Sequence, residues 1–182
     1  MNPSQALLIR PSQGSDVAAI AEIYGWHVLN GTGTFELDPP DEGETARRRE
    51  AVLANGLPWL IAECGGDVVG YAYANVFRPR RAYRFCLEDS VYLDRRAAGG
   101  GIGRLLLAEL MARCEAAGAR QMLAVIGDSA NAGSIRLHQS LGFAPAGVLP
   151  SAGWKFGRWL DVVLMQRSLG IGDAGPPVEP AP

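Results

Sequence analysis

The sequence is poor in cysteine and histidine, and it has no large excess of charge of either sign. Only three of its 182 residues are cysteine and two are histidine. Cys64, Cys86 and Cys114 are odd in number and widely spaced, with no C-x-x-C pair. That argues against a disulfide framework or a zinc site, and it fits a reducing compartment. His27 and His138 are too few for a histidine-rich metal centre, so no metal is expected. The formal net charge is −2, which argues against nucleic acid as a partner. No apolar run approaches the roughly 20 residues that a membrane-spanning helix needs, and the first ten residues show no basic region followed by an apolar stretch. The expectation is a cytoplasmic globular protein with no membrane partner.

What is present is enough apolar mass for a core, since 48% of the residues are hydrophobic. The length suits one domain. We expect that domain over residues 1–169. The Gly/Pro-rich stretch 170–182 is expected to be a disordered tail.

The pattern predicts a short strand at residues 6–10. A helix follows from Ser15 or Asp16 to about Asn30, with Val17, Ile20, Ala21, Tyr24 and Val28 on one face. Residues 31–37 read as a turn and short strand, broken by Asp38-Pro39-Pro40. A second helix is expected over 43–55. Residues 59–64 and 68–76 flank the turn Gly65-Gly66-Asp67 as a hairpin. A basic loop (77–84) leads into a strand over 85–93. A glycine cluster then opens a helix reaching about Ala117. A strand (121–126), a helix (131–141) and two strands (143–149 and 158–167) complete the domain. The fold class is α/β: a mixed sheet with helices on both faces.

The strongest local signal is Gly99-Gly100-Gly101-Ile102-Gly103, between the strand ending Ser90-Val91-Tyr92-Leu93 and a helix. Glycines let backbone amides approach a ligand closely, and a helix start adds unpaired N–H groups and positive potential. Together these features make a pyrophosphate site. A Walker loop is excluded, because no Gly-Lys-Ser/Thr follows. The dinucleotide fingerprint fails at Leu106, and the preceding strands form a hairpin, not a βαβ unit.

The segment Ala98-Gly99-Gly100-Gly101-Ile102-Gly103 resembles the R/Q-x-x-G-x-G/A loop of the GNAT acetyltransferases. A wider resemblance rests on five fragments in order: Thr34-Phe35-Glu36, Phe77-Arg78-Pro79, Glu88 with Ser90-Val91-Tyr92, Ser134-Ile135-Arg136-Leu137-His138, and Lys155-Phe156-Gly157-Arg158-Trp159-Leu160-Asp161. That set is similar to the phosphinothricin and methionine sulfoximine/sulfone N-acetyltransferases. The resemblance implies the GNAT fold, a mostly antiparallel central sheet flanked by helices on both faces. It also implies acetyl-CoA as co-substrate, a small amine substrate and a homodimer. Detoxification by removal of the amine's charge would follow.

By this resemblance the cofactor lies along Ser90, Val91 and Tyr92, the loop Ala98, Gly99, Gly100, Gly101, Ile102, Gly103 and Arg104, and Asn131 and Ser134. Ala98 replaces the leading Arg or Gln; the backbone cradle is kept, and Arg95, Arg96 and Arg104 are the candidates to supply charge instead. Each also reads as a solvated surface residue. Glu88 is the expected general base, because an amine attacks a thioester only after losing its proton and a carboxylate in an apolar strand has a raised pKa. Its other reading is an ion pair with Arg84. Asp89 faces the other side of the strand. His138 occupies the position of a family tyrosine that protonates the leaving thiolate. Its two readings, proton donor and cofactor contact, stand level. The substrate is expected among Phe35, Phe77, Arg78, Pro79, Arg84, Leu87, Asp89 and Lys155, beside Glu88. Two alternatives to a small-molecule acetyltransferase are an enzyme acting on protein or peptide amines and a non-catalytic acyl-CoA sensor.

Overall fold

The structure is a computed structural model, and it describes residues 6–177. Its elements are β1 (Leu7–Pro11), α1 (Val17–Asn30), α2 (Glu42–Ala54), β2 (Trp59–Cys64), β3 (Asp67–Val76), β4 (Cys86–Leu93), α3 (Ile102–Ala116), β5 (Gln121–Gly127), α4 (Ala132–Ser140), β6 (Ala144–Lys155) and β7 (Arg158–Ser168). Among the described residues seven strands form one sheet, in the order β1-β2-β3-β4-β5-β7-β6. Every neighbouring pair is antiparallel except β4 and β5.

Each helix buries one stripe. On α1 that stripe is Ile20, Ile23, Tyr24 and Val28, which meets Val52 of α2 and Trp59, Ile61 and Tyr71 of the sheet. The side chain of Asp41 caps α2 by accepting from the Glu44 amide at 2.7 Å. On the opposite face α3 buries Leu106, Leu107, Leu110 and Cys114 against Leu87, Met122 and Met165. The Phe156-Gly157 turn between β6 and β7 has positive φ at both residues, 53° and 71°. Two such residues match the right-handed twist of a tight hairpin.

The feature that shapes the site is a fork. The parallel pairing of β4 with β5 spans only Cys86–Glu88 against Gln121–Leu123. Both strands then run on, to Leu93 and Gly127, with β3 and β7 still paired on their outer sides.

Two expectations need correction. Residues 31–37 form no strand. Polar side chains satisfy this segment instead: Thr34 Oγ1 accepts from the Glu36 amide at 3.3 Å, and Lys155 Nζ donates to Thr34 O at 2.8 Å. The strand expected to stop at Leu149 continues to Lys155. An irregularity between Leu149 and Gly153 absorbs Pro150 and Ser151, the latter at φ 52°. Of the stretch expected to be a disordered tail, residues 170–177 lie mainly in turns and 178–182 lie outside the described residues.

Leu110 is fully buried in the core between α3 and the sheet. Leu110→Ala should cost about 3–5 kcal/mol of unfolding free energy, the range for a buried leucine that leaves a cavity. Urea denaturation checks this.

Candidate active site

The fork opens into a cleft of about 1110 Å³. It reaches from the glycine-rich loop, past β4 and the start of α4, to residues 31–35. Because the strands part, both faces of β4 line it, and Glu88, Asp89, Ser90, Val91 and Tyr92 all contribute.

Hydrogen-bond parity in β4 decides which backbone groups face the opening. The Phe77 amide donates to Cys86 O at 3.0 Å, and the Asp94 amide donates to Val69 O at 3.0 Å. The register between them is unbroken, so even-numbered residues of β4 bond to β3 and odd-numbered ones point the other way. Val91 and Leu93 therefore turn their backbone groups into the fork, where no strand meets them among the described residues. The Leu93 carbonyl is taken by His27 Nε2 at 2.8 Å. The Val91 amide thus faces the cleft, and the Tyr92 amide is committed to β3.

At one end of the cleft the loop turns through Gly99 (φ 81°) and Gly101 (φ 79°), and α3 begins directly after Gly101. An added Cβ at either glycine would meet no atom within 4 Å. The positive φ, not crowding, makes glycine the natural residue there. Ala98, Gly99, Gly101, Gly103 and Arg104 line the cleft, and Arg95 and Arg136 join them. Arg96 pairs with Asp94 at 2.8 Å instead. Ile102 packs in the core with 6% exposure, so only its backbone is at the helix start. Across the cleft, Asn131 caps α4 by accepting from the Ser134 amide at 3.2 Å. Open glycine amides, a helix start and three arginines suit a phosphorylated cofactor such as CoA.

At the other end stand Tyr24, Phe35, Tyr73 and Tyr92. The Phe35 ring fits between two glycines. A Cβ at Gly153 would come within 2.3 Å of that ring, and one at Gly127 within 2.9 Å of it and within 2.1 Å of Thr32 O. The Tyr24 hydroxyl hydrogen-bonds Thr34 Oγ1 at 2.8 Å and Glu36 Oε1 at 2.9 Å. Lys155 is not part of the lining. It lies beneath the wall with 3% exposure, and burial lowers its pKa.

Glu88 is half-buried in the middle of the cleft. Burial pushes its carboxyl above the ordinary value, the adjacent Asp89 adds to the rise, and Arg78 draws it back. Asp89 points to the α3/α4 side, where its Oδ2 lies 3.0 Å from His138 Nε2. Burial alone would lower the His138 pKa. The hydrogen bond and charge of Asp89, helped by the Ser134 carbonyl, outweigh it, and the net shift is upward.

The structure does not bring every expected residue to the cleft. Leu87 is a core residue with 1% exposure, because it alternates with Glu88 onto the α3 face. Phe77, Arg78, Pro79 and Arg84 lie outside the lining. The Arg78 guanidinium sits 4.6 Å from the Phe77 ring centroid, and that of Arg84 sits 4.3 Å from Phe85. Sequence reasoning missed Tyr73, Asp128 and Arg136. Asp128 had a usable signal: Gly127-Asp128 ends one of the two parallel strands, where ligand crevices form.

Residues 20–143 match the Acetyltransferase (GNAT) family. The chain is 53% identical over 168 residues to a phosphinothricin N-acetyltransferase of Alcaligenes faecalis, covering 92% of this chain and 85% of that one. It is 39% identical over 163 residues to an L-methionine sulfoximine/L-methionine sulfone acetyltransferase of Salmonella typhimurium, covering 90% and 95%. Its fold superposes with TM-score 0.92 and 49% identity on the crystal structure of a GNAT superfamily phosphinothricin acetyltransferase from Sinorhizobium meliloti in complex with AcCoA, covering 95% and 94%. No helix among the described residues is long and apolar enough to cross a membrane, and no group of three or more metal-ligating side chains occurs among them. Fold, cleft and relatives agree: the chain belongs to the GNAT family and is an acetyl-CoA-dependent N-acetyltransferase.

Proposed function

We propose that the chain acetylates the α-amino group of a small L-amino-acid analogue of the phosphinothricin, methionine sulfoximine or methionine sulfone type. Transfer is direct, in a ternary complex, with Glu88 as general base. The observation that carries this reading is the half-buried Glu88 carboxylate, raised in pKa, in the middle of a cleft with a phosphate-binding end and an aromatic end. Relatives named for these substrates support the substrate class. Acetylation removes the charge of the amine, which detoxifies such compounds.

In this reading Glu88 takes the proton from the substrate ammonium, directly or through one water. The freed nitrogen attacks the thioester carbonyl carbon, a C–N bond forms and the C–S bond breaks. The Val91 amide, unpaired by any strand among the described residues and facing the fork, donates to the carbonyl oxygen as charge builds on it. Gly99, Gly101 and Gly103 offer backbone at the pyrophosphate, and Arg95, Arg104 and Arg136 supply the charge that Ala98 lacks. Asn131 and Ser134, at the start of α4, contact the cofactor arm. Phe35, Tyr73 and Tyr24 wall the amine's pocket. Lys155 acts from behind that wall through the Thr34 carbonyl. The basic loop at Arg78 faces Glu88 electrostatically and suits a substrate carboxylate or phosphinate.

The same reading assigns a second copy of the chain to β6. That strand is a sheet edge, and Val148, Leu149, Trp154, Phe156 and Trp159 on it and its hairpin are all at least half exposed. Long apolar edges seek a partner.

Glu88→Gln should lower kcat with the sulfone, sulfoximine or phosphinothricin substrate by about 10²–10⁴-fold, the range for loss of a general base. The base must be ionised, so activity falls as pH drops through the raised Glu88 pKa. The acid limb of kcat/KM should therefore lie above the ordinary glutamate value of about 4.3, and a pH–rate profile checks it. Sedimentation should give a dimer, which Val148→Lys moves toward monomer.

A further inference from the structure

The family resemblance gave His138 the place of a proton donor, but its surroundings leave it little freedom to donate. Its Nδ1 lies 2.8 Å from the Ser134 carbonyl oxygen, and its Nε2 lies 3.0 Å from Asp89 Oδ2. A carbonyl can only accept, so Nδ1 carries a hydrogen. One proton is then shared between Nε2 and the Asp89 carboxylate, whichever atom holds it. Side-chain exposure is 5% for His138 and 2% for Asp89.

Surrendering that proton would set an imidazole lone pair against a buried carboxylate. The other carboxylate oxygen, Oδ1, has no hydrogen-bond partner among the described protein atoms, so nothing else is in place to absorb the charge. Cys114 of α3, close enough to feel Asp89, has its thiol pushed up to about 12 by burial and then by that charge, and it stays neutral. The Phe143 ring, 5.0 Å from His138 edge-to-face, closes another side. Glu88 lies on the far face of β4 and bears the same sign as Asp89. The couple therefore keeps its proton as long as it stays buried.

Its position suggests what it does instead. Asp89 is the first residue of β4 beyond the last pair with β5, at the base of the fork. His138 sits on α4, the helix whose first turn is capped by Asn131. The hydrogen bond between them is a tie across the cleft floor.

We propose that Asp89 is a positioning residue, tying His138 in the last turn of α4, and through its Nδ1 bond the Ser134 carbonyl in the first turn, to β4 at the base of the fork, and that His138 anchors the cofactor-binding helix and is not the proton donor to the leaving thiolate. The proposal rests on the acetyl-transfer reading only in its second half. The anchoring half concerns cofactor affinity, which is measured without an amine.

The test combines calorimetric binding of acetyl-CoA with steady-state kinetics on wild type, Asp89→Ala and Asp89→Asn. In Asp89→Ala the Kd and KM for acetyl-CoA should rise about tenfold or more, with a smaller change in the KM for the amine. Asp89→Asn should restore most of that affinity, because its carboxamide N–H donates to Nε2 of a neutral His138. The basic limb of the kcat profile should stay where it is in the wild type. Nitrogen-15 spectra of the wild type should show Nδ1 protonated throughout. Unchanged acetyl-CoA affinity in a folded Asp89→Ala would overturn the anchor. A hundredfold loss of kcat in Asp89→Asn with wild-type acetyl-CoA affinity, or a shifted basic limb, would restore His138 as the donor. If Asp89→Ala does not fold, Asp89→Asn still decides: a tenfold loss of affinity in it contradicts the proposal, and wild-type-like affinity with an unmoved basic limb supports it.

Discussion

The parting of β4 from β5 is the constraint on which the rest of the structure depends. They form the only parallel pair among the described residues, and their pairing ends at Glu88 and Leu123 while both strands continue. A strand end left unpaired in a protein interior carries backbone groups that need partners. Here the Val91 backbone faces the open cleft. An extended chain laid between the strands can meet the Val91 backbone in the manner of a third strand, as peptides do when they add to a sheet edge. Hydrogen-bond parity fixes which residues are available to it. The glycine loop and α3 follow because β4 delivers the chain to the open end of the fork, where a helix start meets phosphate.

The fork also separates two adjacent carboxylates into different environments. Glu88 and Asp89 are neighbours on one strand and so face opposite sides. Burial and the charge of Asp89 both favour the neutral form of Glu88, and Arg78 offsets them only in part. Asp89 has His138 at 3.0 Å and is thereby compensated. In the proposed reaction one carboxyl exchanges a proton and the other is held in a tie, the kind of division that environment imposes on paired acids.

How much of this was legible in the sequence follows from which interactions are local. The apolar stripe of α1, the Gly65-Gly66 turn and the glycine-rich opening of α3 depend on near neighbours, and all were visible. Glu88 was visible as an acid in an apolar strand. The Asp89–His138 contact was not, because it joins residues 49 apart and no periodicity encodes it. Leu87 and Ile102 were drawn into the site through the family's motifs, yet strand alternation and helix packing send both side chains to the core. The strand expected within residues 31–37 failed because Thr34 and Lys155, distant in sequence, replace a ladder with side-chain bonds. The seat of Phe35 between Gly127 and Gly153 needs three separated segments at once, and nothing in any one of them announces it.

The claim that an acyl-CoA completes the fork as a third strand is tested most directly by residue-resolved amide hydrogen exchange, with and without saturating acetyl-CoA. The account predicts a large slowing at Val91, whose N–H faces the cleft, and little change at Tyr92, whose N–H already bonds to β3. Exchange at Val91 that is unchanged while acetyl-CoA is bound would contradict it.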